Sequence, residues 1–331
     1  MANARRITID LESTPYYHST SKCVRQAYLC GSDKHSGRSF EHRRAWVENG
    51  FIKLCQAFCI DVVAYAVMSN HYHVILHVDL DLLNSLTDLQ VIDRYHLIYR
   101  PDPLMVHFRN GGEVTESEQV EIESRLMTWR DNLTNISRFI GYLNEQIARD
   151  ANQEDGCKGR FWEGRFHSQA LLDEAALLQC MTYVDLNPIR AGMAKTPETS
   201  DHTSIKRRIT KRMQQLPDTL MAFCPSPNNP PSVVQSIQSS PEPTLPITFD
   251  AYLELLDWTG RILRDDKAGA IDPTTPDILT RLGFRADTWA SNLTALSHWL
   301  PKAMGAKSRM KDYAHAIGRH WVWSIGSSPN V

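Results

Sequence analysis

Two apolar runs, Val62–Met68 and Val74–Leu76, lie close together and are separated by Ser69-Asn70 and the segment His71-Tyr72-His73. This pattern predicts a β-hairpin over residues 61–78 with a tight Ser69-Asn70 turn. Upstream, Tyr16, Tyr17, Val24, Tyr28 and Leu29 among polar neighbours suit a strand over 16–31. Trp46, Phe51, Leu54, Cys55 and Phe58 fall roughly on one face of a helix over 41–59, in which Gly50 is an unfavourable residue. Residues 101–114 hold two prolines and a Gly-Gly pair and read as a loop. Ile136, Ile140, Leu143 and Ile147 repeat at helical spacing, predicting an amphipathic helix over 133–150. The aromatic-rich stretch 160–172 reads as a strand. Residues 173–187 begin with Asp-Glu and read as a helix stopped by Pro188.

The first six elements follow the βαββαβ order of a ferredoxin-like (RRM-like) α+β fold, with an antiparallel sheet and a further helix carrying Tyr183. Alternation along the second hairpin strand puts Val74, Leu76 and Val78 on one face and His71, His73, Ile75 and His77 on the other. The apolar set is expected against the helices and the histidines on a face left open. After residue 200 the pattern changes. Lys206-Arg207-Arg208 with Lys211-Arg212 is a dense basic run, and residues 217–246 hold eight of the chain's 17 prolines, a linker composition. Tyr252, Leu255, Leu256, Trp258, Ile262, Trp289, Leu293, Leu296, Trp299 and Leu300 then restore an apolar pattern. The expected organisation is a main domain over 1–200, a basic segment and Pro/Ser-rich linker over 201–247, and a small helical C-terminal domain over 248–331.

Composition narrows the function classes. With 331 residues, 42% apolar, 22% charged and a net charge of −2, the chain is no polycation, so nucleic-acid binding would rest on local patches. No apolar run approaches the roughly 20 residues of a membrane span. The opening Met1-Ala2-Asn3-Ala4-Arg5-Arg6 leads into no long apolar core, which favours a cytoplasmic location without a secretory signal. Seven scattered cysteines, an odd number, read as reduced thiols.

Two imidazoles projecting together from a strand make half of a metal site. The other half is expected in Tyr183-Val184-Asp185-Leu186-Asn187-Pro188, where Tyr183 and Asn187 are four apart and share a helix face. Pro188 disfavours the α conformation at Asn187, so its amide should sit at a frayed helix end, able to turn an oxygen to an ion. Imidazole and oxygen ligands suit Mg²⁺ or Mn²⁺. Such an ion can polarise a phosphoryl oxygen, and a tyrosine alongside can act as nucleophile. Arg160, Phe161, Trp162, Arg165 and Phe166 interleave cations with rings, as a single-stranded DNA platform would; a strand with core rings and exposed arginines is an equal reading, and both can hold because strand faces alternate. Lys206, Arg207, Arg208, Lys211 and Arg212 could grip phosphates or form a solvated face. Arg190 could contact DNA or cap its helix. His77 reads as structural, and Trp258, Trp289 and Trp299 as core.

As a set these motifs resemble a known family. His71-Tyr72-His73, preceded by Met68-Ser69-Asn70, matches the His-hydrophobe-His motif of HUH nucleases. Gly159 to Phe166, followed by Tyr183-Val184-Asp185-Leu186-Asn187-Pro188-Ile189-Arg190-Ala191-Gly192, is similar to the single-tyrosine transposases of small insertion sequences. Among these, the REP-associated tyrosine transposases are most similar. The resemblance covers roughly residues 14–197; small members end soon after the tyrosine helix, whereas this chain continues. It implies a single-stranded DNA endonuclease and strand transferase that recognises a hairpin such as a repetitive extragenic palindrome and forms a 5′-phosphotyrosine, leaving a 3′-hydroxyl. Carried over, Tyr183 is the nucleophile and His71, His73 and Asn187 are the metal ligands. The resemblance leaves open a homodimer in which the tyrosine comes from the partner subunit. Two other classes compete: a hairpin-binding protein without turnover, and a metallohydrolase using activated water.

Overall fold

The computed structural model describes residues 9–24, 29–31, 37–225, 243–262, 302–320, 322 and 324–326. The hairpin forms where the apolar pattern puts it, as β2 (Ile60–Val67) and β3 (His71–Val78). Along β3, Tyr72, Val74, Leu76 and Val78 enter one core, while Ile75 enters another on the opposite face. Strand β1 (Tyr16–Lys22) pairs antiparallel with β3, and β4 (His167–Leu171) pairs antiparallel with β1. The sheet therefore runs β2-β3-β1-β4 with every one of these neighbours antiparallel. The result is a mixed α+β molecule around a mostly antiparallel sheet.

Helices α1 (Arg43–Ala57) and α6 (Ile136–Glu154) cover the Tyr72 face, the latter through Phe139, Ile140, Leu143 and Ile147. Gly50 does not break α1. It lets α1 approach α6, because a methyl group at Gly50 would overlap Leu143 Cδ1. Asn144 of α6 ties this layer to the sheet: Tyr72 Oη donates to its Oδ1 (2.7 Å), and its amide donates to Ser21 Oγ (2.9 Å).

Several expectations are corrected. The strand expected over 16–31 ends as β1 at Lys22, because Cys23 and Cys30 donate instead to the carbonyls of Asn70 and Ser69 at the hairpin turn. Residues 101–114 are not a loop. They contain α4 (Pro103–Arg109), opened by Asp102 as N-cap with Pro103 in the first turn, where a missing N–H costs nothing. This helix belongs to an insert with α2 (Leu80–Ser85), α3 (Asp88–His96) and α5 (Glu116–Leu133), the last two each opened by a capping box. Val91, Ile92, Met105, Ile122, Leu126 and Trp129 give the insert its own core.

The stretch 160–172 is a strand only in β4, with an isolated bridge from Trp162 to Cys23. The histidine face is not open. Helix α7 (Glu174–Asp185) crosses it, joined there by α9 (Ser204–Met213) and α10 (Phe249–Ile262). Pro188 does not stop the helical path either. Leu186 stays in the αR region, and a short helix α8 (Asn187–Arg190) follows with Pro188 in its first turn.

The boundaries expected at 200 and 248 are both crossed. Ser204 Oγ accepts from Tyr65 N of β2 (3.0 Å), and Tyr252, Leu255 and Leu256 of α10 share a core with α7. Strands β7 (Ala303–Gly305) and β8 (Ser324–Gly326) extend the sheet in parallel beyond β4, and Tyr313 of the intervening helix α11 (Lys307–Ala316) is buried in the α1–α6 core. The short pair β5 (Ala222–Phe223) and β6 (Thr244–Leu245) is separate. Trp258 is core as expected, whereas Trp289 and Trp299 lie outside the described residues. All seven cysteines are free thiols, and among the described residues no helix is long and apolar enough to cross a membrane.

The close approach at Gly50 gives a stability prediction. Alanine there gains up to about 1 kcal/mol of helix propensity but overpacks Leu143 by about 1–3 kcal/mol. Gly50→Ala should therefore lower the midpoint of urea unfolding, and a raised midpoint would contradict the packing argument.

Candidate functional site

The site begins with register. His18 of β1 lies directly opposite Gln169 of β4, and Thr20, two residues on, lies opposite His73 of β3. Gln169, His18 and His73 thus form a row across three adjacent strands, all on the face that α7 covers. His18 Nδ1 is 3.1 Å from Gln169 Oε1, and His18 Nε2 is 3.0 Å from His73 Nδ1. His73 Nε2 is 3.2 Å from Asn187 Nδ2. At the hairpin turn, His71 Nδ1 is 2.6 Å from Asn70 Oδ1.

With the amides oriented in this way, the partners set the tautomers. Asn70 Oδ1 can only accept, so His71 carries its proton on Nδ1. Gln169 Oε1 likewise takes the His18 Nδ1 proton, leaving His18 Nε2 to accept from His73 Nδ1. His71 and His73 therefore both keep the Nε2 lone pair. That is the ligating form of a histidine whose other nitrogen is held from behind.

Burial keeps the rings neutral. His73 is 3% exposed, and desolvation, reinforced by His18 and His71, holds it well below its usual range. Burial brings His18 down to about 4, against the Gln169 hydrogen bond, and brings His71 down to about 4 with help from Lys22.

Helices α7 and α8 supply the other side. The Tyr183 ring meets the His73 ring edge-on at 5.4 Å, and the Arg190 guanidinium lies 5.3 Å from the Tyr183 ring centre. Tyr183 is 5% exposed. Burial raises its phenol above 10, opposed by a side-chain hydrogen bond with Asn187 and by the Arg190 charge. One chain thus brings His73, Tyr183 and Asn187 together, with the His71 ring 4.9 Å from the His73 ring. Among the described residues no three His, Cys, Asp or Glu side chains form a metal-holding group. Two neutral imidazoles and one amide are gathered instead, a set without thiolate or carboxylate that could hold a divalent ion and leave positions open.

Asp185 holds this helix in place. Its Oδ1 accepts from Ser204 Oγ (2.5 Å) and Ile205 N (3.1 Å) at the start of α9, and its Oδ2 from Tyr252 Oη (2.6 Å) of α10. The carboxyl is 1% exposed, and burial raises it above the usual range despite these donors and the nearby Arg208. At the other end of α7, Asp173 caps Ala176 N (2.8 Å) and accepts from Ala306 N (2.7 Å).

The other expected contact residues divide. Phe161, Trp162 and Phe166 are buried, so they are core rings and not a stacking platform. The segment is not a regular strand that could present alternate rings outward, and Trp162 Nε1 donates to the Asn144 carbonyl (2.7 Å). Arg160 and Arg165 are exposed. Arg208 is buried and donates to the carbonyls of Val63 and Met221 (2.9 Å each), so it is structural and cannot reach a phosphate. Arg207 is tied to Asp218 (2.8 Å). Lys206 pairs with Asp201 and Arg212 with Asp250, both near the surface, while Lys211 is half-buried. His77 is structural as expected, held by Asp61 (3.0 Å) beneath the Tyr16 ring. His18 and Gln169 are the functional candidates that the linear pattern did not single out. The available signal was parity, since His18 shares a face with Tyr16 and Thr20, opposite core Tyr17.

No family model and no curated protein matches the chain. A solved structure of a REP-associated tyrosine transposase bound to a REP hairpin is similar at 14% identity and a TM-score of 0.33, covering 70% of this chain and 99% of that chain.

Removing the Asp185 carboxylate takes the shortest acceptor from three buried donors, leaving Ser204 Oγ only a 3.4 Å contact to the Tyr65 carbonyl; each donor left unsatisfied costs about 1–3 kcal/mol. Asp185→Ala should destabilise the fold by several kcal/mol in denaturant unfolding, with Asp185→Asn intermediate. Wild-type stability in Asp185→Ala would show that the clamp does not hold α7.

Proposed function

We propose that this protein cleaves and rejoins single-stranded DNA at hairpins as a divalent-metal-dependent transposase, through a covalent phosphotyrosine at Tyr183. The observation that carries the reading is the Asn187 amide 3.2 Å from His73 Nε2, with Tyr183 in contact with both side chains. The strand order β2-β3-β1-β4, all antiparallel, supports a ferredoxin-like core of the HUH type beneath that site.

His71, His73 and Asn187 would hold Mg²⁺ or Mn²⁺, which supplies charge to polarise and orient a phosphoryl oxygen. The chain's own groups account for the rest. Tyr183 Oη attacks phosphorus, the bond from phosphorus to O3′ breaks, and O3′ leaves with a proton as a free hydroxyl. The phenol proton must depart as the new ester forms, because burial disfavours a standing phenolate. Arg190 offers charge to the developing phenolate and to the phosphate beside it. The phosphotyrosyl ester keeps the phosphodiester's bond energy, so a second DNA hydroxyl can reverse the step and join a new strand. Exposed Arg160 and Arg165, with Lys206, Lys211 and Arg212, are the cations suited to the backbone of a hairpin. Such contacts give salt-dependent affinity and little sequence choice.

The test uses an end-labelled hairpin with a single-stranded flank, incubated with the full chain and Mn²⁺ or Mg²⁺. A denaturation-resistant adduct should form, and Tyr183→Phe, His73→Ala and chelation should each abolish it. Arg190→Ala should slow its formation on the order of 10²-fold. An adduct that persists in Tyr183→Phe overturns the nucleophile assignment.

A further inference from the structure

The row Gln169–His18–His73 has one hydrogen-bond polarity, set by Asn187 at one end and matched at the other by the amide orientation of Gln169, whose buried Nε2 has no partner among the described residues. At one end Gln169 offers an oxygen to His18 Nδ1 (3.1 Å), so His18 must donate there. At the other end Asn187 offers a nitrogen to His73 Nε2 (3.2 Å), so His73 must accept there. The only proton placement that satisfies both puts Nδ1–H of His73 on His18 Nε2 across 3.0 Å. Two amides on different elements, β4 and α8, thus agree without contacting each other. His18 and Gln169 are 1% and 0% exposed, out of reach of substrate. His18 also meets the Tyr183 ring edge-on at 6.2 Å, which places it directly behind the working cluster.

We infer that His18, oriented by Gln169, is a positioning residue that fixes His73 in its Nδ1–H tautomer and so keeps the Nε2 lone pair directed at Asn187 and Tyr183. A neutral imidazole left alone can exchange tautomers. Its Nε2–H form would present a proton where a ligand lone pair is needed. The strand register makes the arrangement rigid, because His18 and Gln169 are directly paired residues on neighbouring strands. Losing a partner of this kind behind a metal-binding histidine weakens metal affinity about 10–100-fold. The tautomer claim stands on the metal-free chain; only its effect on ion affinity rests on the proposed function.

Nitrogen-15 spectra of the histidine rings in the metal-free full chain report the tautomer directly. Wild type should show His73 protonated on Nδ1 and bare on Nε2. His18→Phe removes the acceptor, so the His73 signature should move toward mixed tautomers and Mn²⁺ affinity, read from free Mn²⁺ by electron paramagnetic resonance, should fall about 10–100-fold. His18→Gln puts an amide oxygen near the lost Nε2 and should restore both readouts, which a purely space-filling role for His18 would not require. If His18→Phe fails to fold, the wild-type and His18→Gln spectra still decide the matter. Nε2–H on His73 in the wild type overturns the inference, as does an unchanged tautomer and unchanged Mn²⁺ affinity in His18→Phe. Wild-type chain that shows the Nδ1–H tautomer yet binds no Mn²⁺ supports the positioning role and overturns the metal reading alone.

Discussion

The buried carboxylate of Asp185 is the constraint on which the site depends. Tyr183 and Asn187 lie on either side of it along one helical path. Neither can meet His73 unless that path is fixed over the sheet. Asp185 fixes it from the far side of the helix by accepting from Ser204, Ile205 and Tyr252. A carboxylate taken this far out of water is tolerated only with its lone pairs satisfied. The clamp therefore links residues that look remote in sequence: the start of the basic helix and a tyrosine of the C-terminal segment both serve the position of Tyr183. The basic helix has its own buried anchor in Arg208, which closes two carbonyls against β2 and the following segment.

The two faces of β3 divide the labour between packing and chemistry. One face packs its apolar side chains against α1 and α6, with the Tyr72 hydroxyl satisfied by Asn144. The other carries polar rings beneath a helix, where an unpaired imidazole would be costly. The structure resolves this by handing each ring's Nδ1 to a partner in the sheet layer: Asn70 for His71 and His18 for His73. Burial then suits the proposed function, because a neutral ring with its lone pair on Nε2 is the form that could take a divalent ion. The same burial works against Tyr183, whose phenol holds its proton more tightly than in water. The Arg190 guanidinium beside the ring offsets this in part.

Much of this architecture was legible in the sequence wherever periodicity was strong. The hairpin, α1, α6 and α7 follow directly from spacing, and so does the shared face of His71 and His73. What escaped has specific physical causes. Pro101 and Pro103 suggested a loop, yet Asp102 followed by Pro103 is a helix start, and Gly111-Gly112 ends that helix instead of marking a long turn. The aromatic run at 160–166 hid its burial because it is not a strand and alternation does not apply. Pro188 was expected to end the helical path, but a proline in the first turn of α8 needs no N–H partner. The strands β7 and β8 span three residues each, too short for any periodic signal. His18 and Gln169 become visible only once pairing register is known, since each sits among other polar residues on its own strand.

The central claim is that the phosphoryl group is transferred to one particular oxygen. The most direct measurement is mass-spectrometric mapping of the protein after reaction with a hairpin substrate and nuclease trimming of the attached DNA. The account predicts a nucleotide phosphate esterified through its 5′ oxygen on the peptide containing Tyr183, with a free 3′-hydroxyl on the released strand. A modification on any other residue, or cleaved DNA with a 5′-phosphate and no modified peptide, would contradict it.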